Sequence, residues 1–180
     1  MSNIHDTAII ESMAVIKPDT AIWRFTHINR GACIGYNCNI GQNVYIGKNV
    51  KVGDRCRIQN NAYIPEGVVI GNDVFIGPAV TLTNVKYPRA DYPRIDDCLT
   101  TTIADGVSIG ANATIVCGVT LEERCIVGAG SVVTSSVKSG HVVYGNPTRL
   151  KGFACICGGI IDIRSGKMFC PECEKEKESK

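Results

Sequence analysis

The chain has 180 residues, with 19 Lys and Arg against 17 Asp and Glu and a formal net charge of +2. That length allows one domain or one domain with a small appendage, and so weak a charge gives no compositional support for nucleic-acid binding. The apolar stretches are too short for a transmembrane helix, and the opening MSNIHDTAIIESMAV lacks a basic segment followed by an apolar core, so no membrane contact and a cytoplasmic location are predicted.

From Ile10 an aliphatic residue returns at every sixth position through Ile16, Ile22, Ile28, Ile34, Ile40, Ile46, Val52, Ile58, Ile64, Ile70, Ile76 and Leu82. A helix repeats at 3.6 residues and a strand at 2, so neither produces a six-residue beat. Short strands joined at regular corners do, and three hexads make one coil of triangular section. Hexads such as IGQNVY, IGKNVK and VGDRCR place the aliphatic and the fifth residue inward. Coils stack about 4.8 Å apart, the strand-pairing distance, so each inner residue lies over its equivalent eighteen places on, as Cys38 over Cys56. Cys38, Cys56 and Cys125 fill fifth positions, where thiols act as small buried hydrophobes rather than disulfide partners. Asn37, Asn43, Asn49, Asn61, Asn72 and Asn112 suit the corners, because Asn tolerates left-handed backbone. The predicted fold is all-β, a parallel β-helix.

At Ile58 and Ile64 the corner glycine gives way to Gln59 and Pro65, and Gln59, Asn60 and Asn61 form a neutral hydrogen-bonding strip. The beat then breaks over residues 83–102, TNVKYPRADYPRIDDCLTTT. An aperiodic segment of this length on a regular scaffold points to function. It should leave the prism after Leu82 and rejoin near Thr100 to Thr102. Asn84 lies twenty-four residues beyond Asn60, and both are expected on the same stretch of prism edge. Arg89 and Arg94 follow with fork-shaped donors suited to a carboxylate or pyrophosphate.

The beat resumes at Ile103, Ile109, Ile115, Leu121, Val127 and Val133. Residues 1–152 thus read as one β-helix domain with a loop at 83–102. Residues 153–174 read as a small Cys-rich ribbon: Cys170 and Cys173 have the C-x2-C spacing of a zinc knuckle, and Cys155 and Cys157 supply a shorter second pair. The stretches IIDI and MFC suggest two strands between the pairs, holding a structural zinc. Residues 175–180 read as a disordered, solvated end.

The hexads over residues 4–151 resemble the hexapeptide-repeat acyltransferases. IWRFTHI at 22–28, GQNVYIGKNVKVGDRCRIQNNAYIPEGVVIGNDVFIGPAVTLTNVKYPR at 41–89, IGANATIVCGVT at 109–120, VGAGSVV at 127–133 and YGNPTRLKG at 144–152 are most similar to bacterial N-acetyltransferases of nucleotide-linked 3-amino sugars. Among them are the enzymes acting on UDP-2-acetamido-3-amino-2,3-dideoxyglucuronate in surface-polysaccharide and O-antigen synthesis. The resemblance implies a left-handed winding, a homotrimer with sites between prisms, and acetyl-CoA as donor to a UDP- or dTDP-linked amino sugar. It implies that Asn84 touches the sugar near its amine, that Gln59 and Asn60 line the nucleotide-sugar cleft, and that Arg89 or Arg94 meets pyrophosphate or a sugar acid. Arg149 and Lys151 would sit near the CoA end, and Ala111 or Ala129 could supply a backbone N–H to the oxyanion.

Three histidines, His5, His27 and His141, are candidate bases, and nothing in the sequence places any of them beside Asn84. His27, outward on an early coil, is either structural or in contact with substrate. Direct attack by the amine without a dedicated base is therefore the expected chemistry, as the resemblance also implies. The alternatives are transfer to a 4-amino sugar nucleotide, or a γ-carbonic-anhydrase-like metalloprotein or scaffold built on the same prism.

Overall fold

The computed structural model describes residues 3–92, 98–166 and 169–178. Most hexads contribute a strand of only two residues, as in Asn39–Ile40, Tyr45–Ile46 and Lys51–Val52, while Val68–Ile70 and Thr101–Ile103 have three. The second residue of each points inward, and Ile34, Ile40, Ile46, Ile58, Ile64 and Ile76 are completely buried. Fifth positions point inward as well: Cys38, Cys56 and Cys125 are all buried, and burial pushes the Cys125 thiol up to about 12. Polar residues at this position are satisfied by the neighbouring coil, since Thr20 and Thr26 donate to the carbonyls of Gly35 and Gly41 at 2.7 Å.

The strands stack in parallel with a register of eighteen residues, Arg57 lying between Asn39 and Phe75. Three sheets result, of ten, seven and six strands. On the first face the outward column runs Ala21, Asn39, Arg57, Phe75, Ser108 and Ile126. On the second it runs Ile9, His27, Tyr45, Tyr63, Thr81, Thr114 and Val132. Across the loop the register becomes 33 instead of 18, an insertion of 15 residues. The chain rejoins the prism at Thr101–Ile103, as the hexad count predicts. The stacking reaches further at both ends than that count, to Ile4 in the same register and to Val143, which pairs sixteen rather than eighteen residues on from Val127.

The corners turn through left-handed backbone at the fourth hexad position. Asn37, Asn43, Asn49, Asn61 and Asn112 occupy it with φ between 54° and 62°, and so do Arg55, Asp73, Ala79 and Arg124. Asn72 sits one position too early to belong to this set. Its carboxamide accepts the backbone N–H of Asp54 at 2.8 Å instead, and Asp105 in turn accepts the N–H of Asn72 at 2.7 Å. A ladder of side-chain oxygens thus binds successive corners together.

Beyond the last coil, His141–Tyr144 pairs antiparallel with Arg149–Ala154, which pairs antiparallel with Ile160–Asp162. The ribbon therefore continues the first sheet. Residues 160–162 pair back to the preceding strand, and the boundary expected between 152 and 153 falls inside a strand. Residues 171–178 form a helix where a disordered end was expected from 175. Pro171 presets its first turn, and Glu172 and Glu174 lie near the positive end of its dipole. Among the described residues no helix is long and apolar enough to cross a membrane.

Truncating one inward isoleucine leaves a cavity that the tightly stacked coils cannot close. Ile76→Ala is expected to lower unfolding free energy by about 2–5 kcal/mol in denaturant titration. Ala79→Gly, at φ 55°, is expected not to lower it.

Candidate active site on adjoining prism edges

Eighteen residues bring the chain back to the same edge, so each corner forms a column. On the edge between the first and second faces the second and third hexad positions run Trp23–Arg24, Gly41–Gln42, Gln59–Asn60, Gly77–Pro78, Gly110–Ala111 and Gly128–Ala129. Backbone hydrogen bonds fix their spacing: Asn61 N donates to Gln42 O (3.0 Å), Ala79 N to Asn60 O (2.9 Å), Asn112 N to Pro78 O (2.9 Å) and Gly130 N to Ala111 O (2.8 Å). Carboxamides give way to small residues along this edge. A Cβ at Gly77 would lie 2.7 Å from Ala111 N, so the upper half tolerates no bulk at that position. Gln59 and Asn60 are thereby in line with Ala111 and Ala129.

The same column ends under the ribbon. Tyr144 packs over Gly128, where a Cβ would come within 2.7 Å of the Tyr144 Cβ. Lys151 Nζ stands 5.3 Å from the Tyr144 ring, and Arg149 pairs with Tyr144 in the sheet while donating to Thr148 O at 2.9 Å. Ala129, Lys151 and Arg149 thus gather at one end of the first edge. Tyr144, absent from the sequence-based candidates, organises them.

Asn84 lies on the next edge, between the second and third faces. The expectation that it shares an edge with Asn60 is wrong for a simple reason: twenty-four is not a multiple of eighteen, so the chain has advanced one further corner. Leu99 N donates to Asn84 O at 2.9 Å, and Val85 bridges Cys98, closing the base of the loop into a flap. Thr83 Oγ1 accepts from Cys117 N at 3.0 Å, anchoring that base to the coil above. The half-buried Asn84 side chain directs its Nδ2 to Cys98 Sγ at 3.7 Å. Arg89, with Lys86, Tyr87 and Pro88, surrounds a cleft of about 410 Å³ on the flap. Arg94 lies outside the described residues.

His27 stands on the second face, three rungs below Thr81, or about 14 Å. Its Nε2 is 2.7 Å from Glu11 Oε1, and this contact holds the Glu11 carboxyl below its ordinary range. Its ring meets Tyr45 edge-on at 5.7 Å, and Tyr45 stacks on Tyr63 at 4.9 Å. His141 packs edge-on against Phe153, and His5 bonds Arg24 Nε at 3.1 Å. None of these contacts brings an imidazole to Asn84.

The four predicted metal ligands do come together. Sγ of Cys155 is 3.7 Å from that of Cys173, Cys157 is 3.6 Å from Cys170, and Cys157 is 3.4 Å from Cys173. A tetrahedron of Zn–S bonds near 2.3 Å has S···S edges of about 3.8 Å, so the set fits zinc despite its short C-x-C arm. A backbone hydrogen bond from Cys157, then the neighbouring thiols, pull the Cys155 thiol down to about 7, which favours thiolate ligation. A larger cleft of about 520 Å³ separates this ribbon from the third edge; two of its carboxylates are committed, Asp73 to Arg55 at 2.7 Å and Asp105 to Asn72.

Comparison with known proteins agrees with the fold. The family described as bacterial transferase hexapeptide (six repeats) matches residues 49–84 and 100–135, and the hexapeptide repeat of succinyl-transferase matches residues 31–65. The chain belongs to the hexapeptide-repeat transferases. A dTDP-3-amino-3,6-dideoxy-alpha-D-galactopyranose 3-N-acetyltransferase of Aneurinibacillus thermoaerophilus is 41% identical over 75 residues, 42% of this chain and 38% of that protein. A 2,3,4,5-tetrahydropyridine-2,6-dicarboxylate N-acetyltransferase of Staphylococcus aureus (strain JH9) is 38% identical over 78 residues, 43% of this chain and 30% of that protein. The chain therefore spans less than two fifths of the length of these curated relatives. A hexapeptide transferase family protein from Anaplasma phagocytophilum shares its fold, with a TM-score of 0.59 at 22% identity over 87% of this chain and 81% of the other.

Metal analysis of the isolated protein is expected to find one zinc per chain. Cys170→Ser should release it, as should acidification, because the thiolate ligands reprotonate. Four freely titrating thiols and no bound metal would contradict the assignment.

Proposed function

We propose that the chain is an acetyl-CoA-dependent N-acetyltransferase acting on the 3-amino group of a UDP- or dTDP-linked amino sugar, in the assembly of a surface polysaccharide or O-antigen. The observation that carries the reading is the order of chemistry along one edge. Carboxamides at Gln59 and Asn60 suit a polar acceptor, small residues at Ala111 and Ala129 leave room for an extended pantetheine, and Arg149 and Lys151 supply cations at the far end. The local identity to a 3-amino-sugar acetyltransferase supports the choice of acceptor.

The flap with Asn84 lies on the adjoining edge, and a homotrimer resolves that separation. Three prisms with their second faces toward a common axis set the first edge of one against the second edge of its neighbour. That face carries the half-exposed Tyr63 and its stacked partner Tyr45, aromatic surface suited to burial. Arg89 would approach the pyrophosphate or a sugar carboxylate from the flap.

In this arrangement Asn84, its Nδ2 turned to Cys98, offers Oδ1 to an N–H of the neutral acceptor amine. The amine nitrogen attacks the thioester carbonyl, the C–S bond breaks, and the departing thiolate takes the proton released from nitrogen. A thiol of ordinary pKa near 8.5 is a competent acceptor, so no imidazole is needed. A backbone N–H at Ala111 or Ala129 stabilises the developing oxyanion. Rate enhancement then comes chiefly from alignment.

Thiol release from acetyl-CoA is expected only when a nucleotide-linked amino sugar is added. Asn84→Ala should lower kcat/KM about 100-fold, the scale of a lost orienting contact, whereas His27→Ala should stay within about threefold. An unimpaired Asn84→Ala enzyme would remove the assigned role, and an inactive His27→Ala enzyme of native stability would restore a histidine base.

A further inference from the structure

The lower half of the first edge holds a cleft that the acetyl-transfer chemistry does not use. It encloses about 330 Å³, and its lining includes Trp23, Arg24, Asn39, Gln42, Gln59 and Asn60. Trp23 is 48% exposed, yet it is not loose: its Nε1–H donates to Asn39 Oδ1 at 2.6 Å. With its polar end satisfied, the indole presents a fixed aromatic surface to the cleft. The amide groups around it are open. Asn60 Oδ1 accepts from Gln42 N at 2.9 Å, which leaves Asn60 Nδ2 available as a donor. The Gln42 and Gln59 carboxamides make no hydrogen bond among the described residues. The cleft is therefore neutral apart from Arg24, whose Nε is engaged by His5.

A fixed aromatic plate beside unpaired carboxamides suits a flat, uncharged heterocycle better than a phosphate or a sugar acid. A carboxamide presents an N–H donor and a C=O acceptor side by side. The imide edge of uracil or thymine presents the complementary carbonyl and N3–H. We propose that the Trp23 cleft is the pyrimidine-base subsite of this transferase, taking the uracil or thymine of a nucleoside diphosphate by stacking on Trp23 and pairing with Gln42 or Gln59. The inference rests on the amino-sugar reading above and names a part of the acceptor's site that reading leaves open.

The position along the prism agrees. Trp23 and Gln42 lie on the second and third rungs, and the coil that ends at Asn84 is two to three rungs higher, about 10–14 Å. A ribose and a diphosphate fill an interval of that size between a base and a sugar amine. The acceptor would then run upward with its base at Trp23 and its amine level with a neighbour's Asn84. The donor would run downward from Arg149 and Lys151 past Ala129 and Ala111. Two long ligands meet end to end in one groove.

Trp23 is the protein's single tryptophan, so its emission reports on this cleft alone. The trimer should be titrated with UDP, dTDP, ADP and inorganic pyrophosphate, following emission and, in parallel, heat of binding. UDP or dTDP should quench saturably, the stronger of the two identifying the base, while ADP and pyrophosphate should leave emission little changed. Trp23→Ala should raise KM for the nucleotide sugar about tenfold or more, the loss expected for one base–aromatic stack. Its kcat at saturation and its KM for acetyl-CoA should be retained, and Trp23→Phe should recover most of the loss. Gln42→Ala, a substitution of one exposed side chain, should weaken UDP or dTDP binding in the same direction. Calorimetric binding of UDP or dTDP with unchanged emission would overturn the base assignment while leaving the amino-sugar reading intact. Equal quenching by ADP would overturn it in favour of a purine. No heat with either pyrimidine nucleotide would remove both readings.

Discussion

Every feature of this molecule depends on the hydrogen-bonded register between coils. Because each outward strand residue donates to the coil above, as Asn39 N does to Cys56 O at 2.9 Å, the backbone returns to the same corner after eighteen residues. The inner isoleucines and the fifth-position Ala, Val and Cys fill the triangular interior only in that register. A slip of one residue would turn charged or large outward side chains into the core. The prism is thus a rigid ruler on which side chains far apart in sequence are held at intervals of about 4.8 Å.

That ruler explains how a chain with little helix and two-residue strands can form an extended site. A column of corners needs no loop ordering to place its groups, since backbone bonds space Gln42, Asn60, Pro78 and Ala111 from one another. The inserted segment lies between Leu82 and Thr101. There the flap is pinned at its base by the Leu99–Asn84 bond and the Val85–Cys98 bridge, so Asn84 belongs to the rigid part although the segment beyond it departs from the prism. The ribbon does the same at the other end, carrying Arg149 and Lys151 on a strand that extends the first sheet toward the cysteine cluster.

The six-residue beat made the fold legible, because it is a property of the interior and the interior is nearly uniform. The buried thiols followed from the same rule. Individual edge positions were harder. Asn72 has the residue type of a left-handed corner but sits at the third position, where its side chain serves the neighbouring coil. Asn60 and Asn84 appear close when counted in hexads and lie on different edges when counted in coils. Trp23 was passed over because a lone exposed aromatic carries no signal until its column, Trp23, Gly41 and Gln59, is laid out at eighteen-residue intervals. The cysteine cluster was legible from composition, yet the pairing of Ile160–Asp162 back to Arg149–Ala154 was not, since strand partners in a short ribbon are set by turn geometry rather than by spacing.

The central claim is that one prism supplies the carboxamide edge and its neighbour supplies Asn84. Subunit complementation tests this directly. Asn84→Ala chains and Gln59→Ala/Asn60→Ala chains, each strongly impaired as a homotrimer, should be unfolded together, mixed in equal amounts and reassembled. If the site is shared, random trimers pair an intact edge with an intact Asn84 in about one quarter of sites, and thiol release should recover to about that fraction of the wild-type rate. A mixed preparation no more active than its parents, with mixed trimers demonstrably present, would show that each prism works alone and would contradict the account.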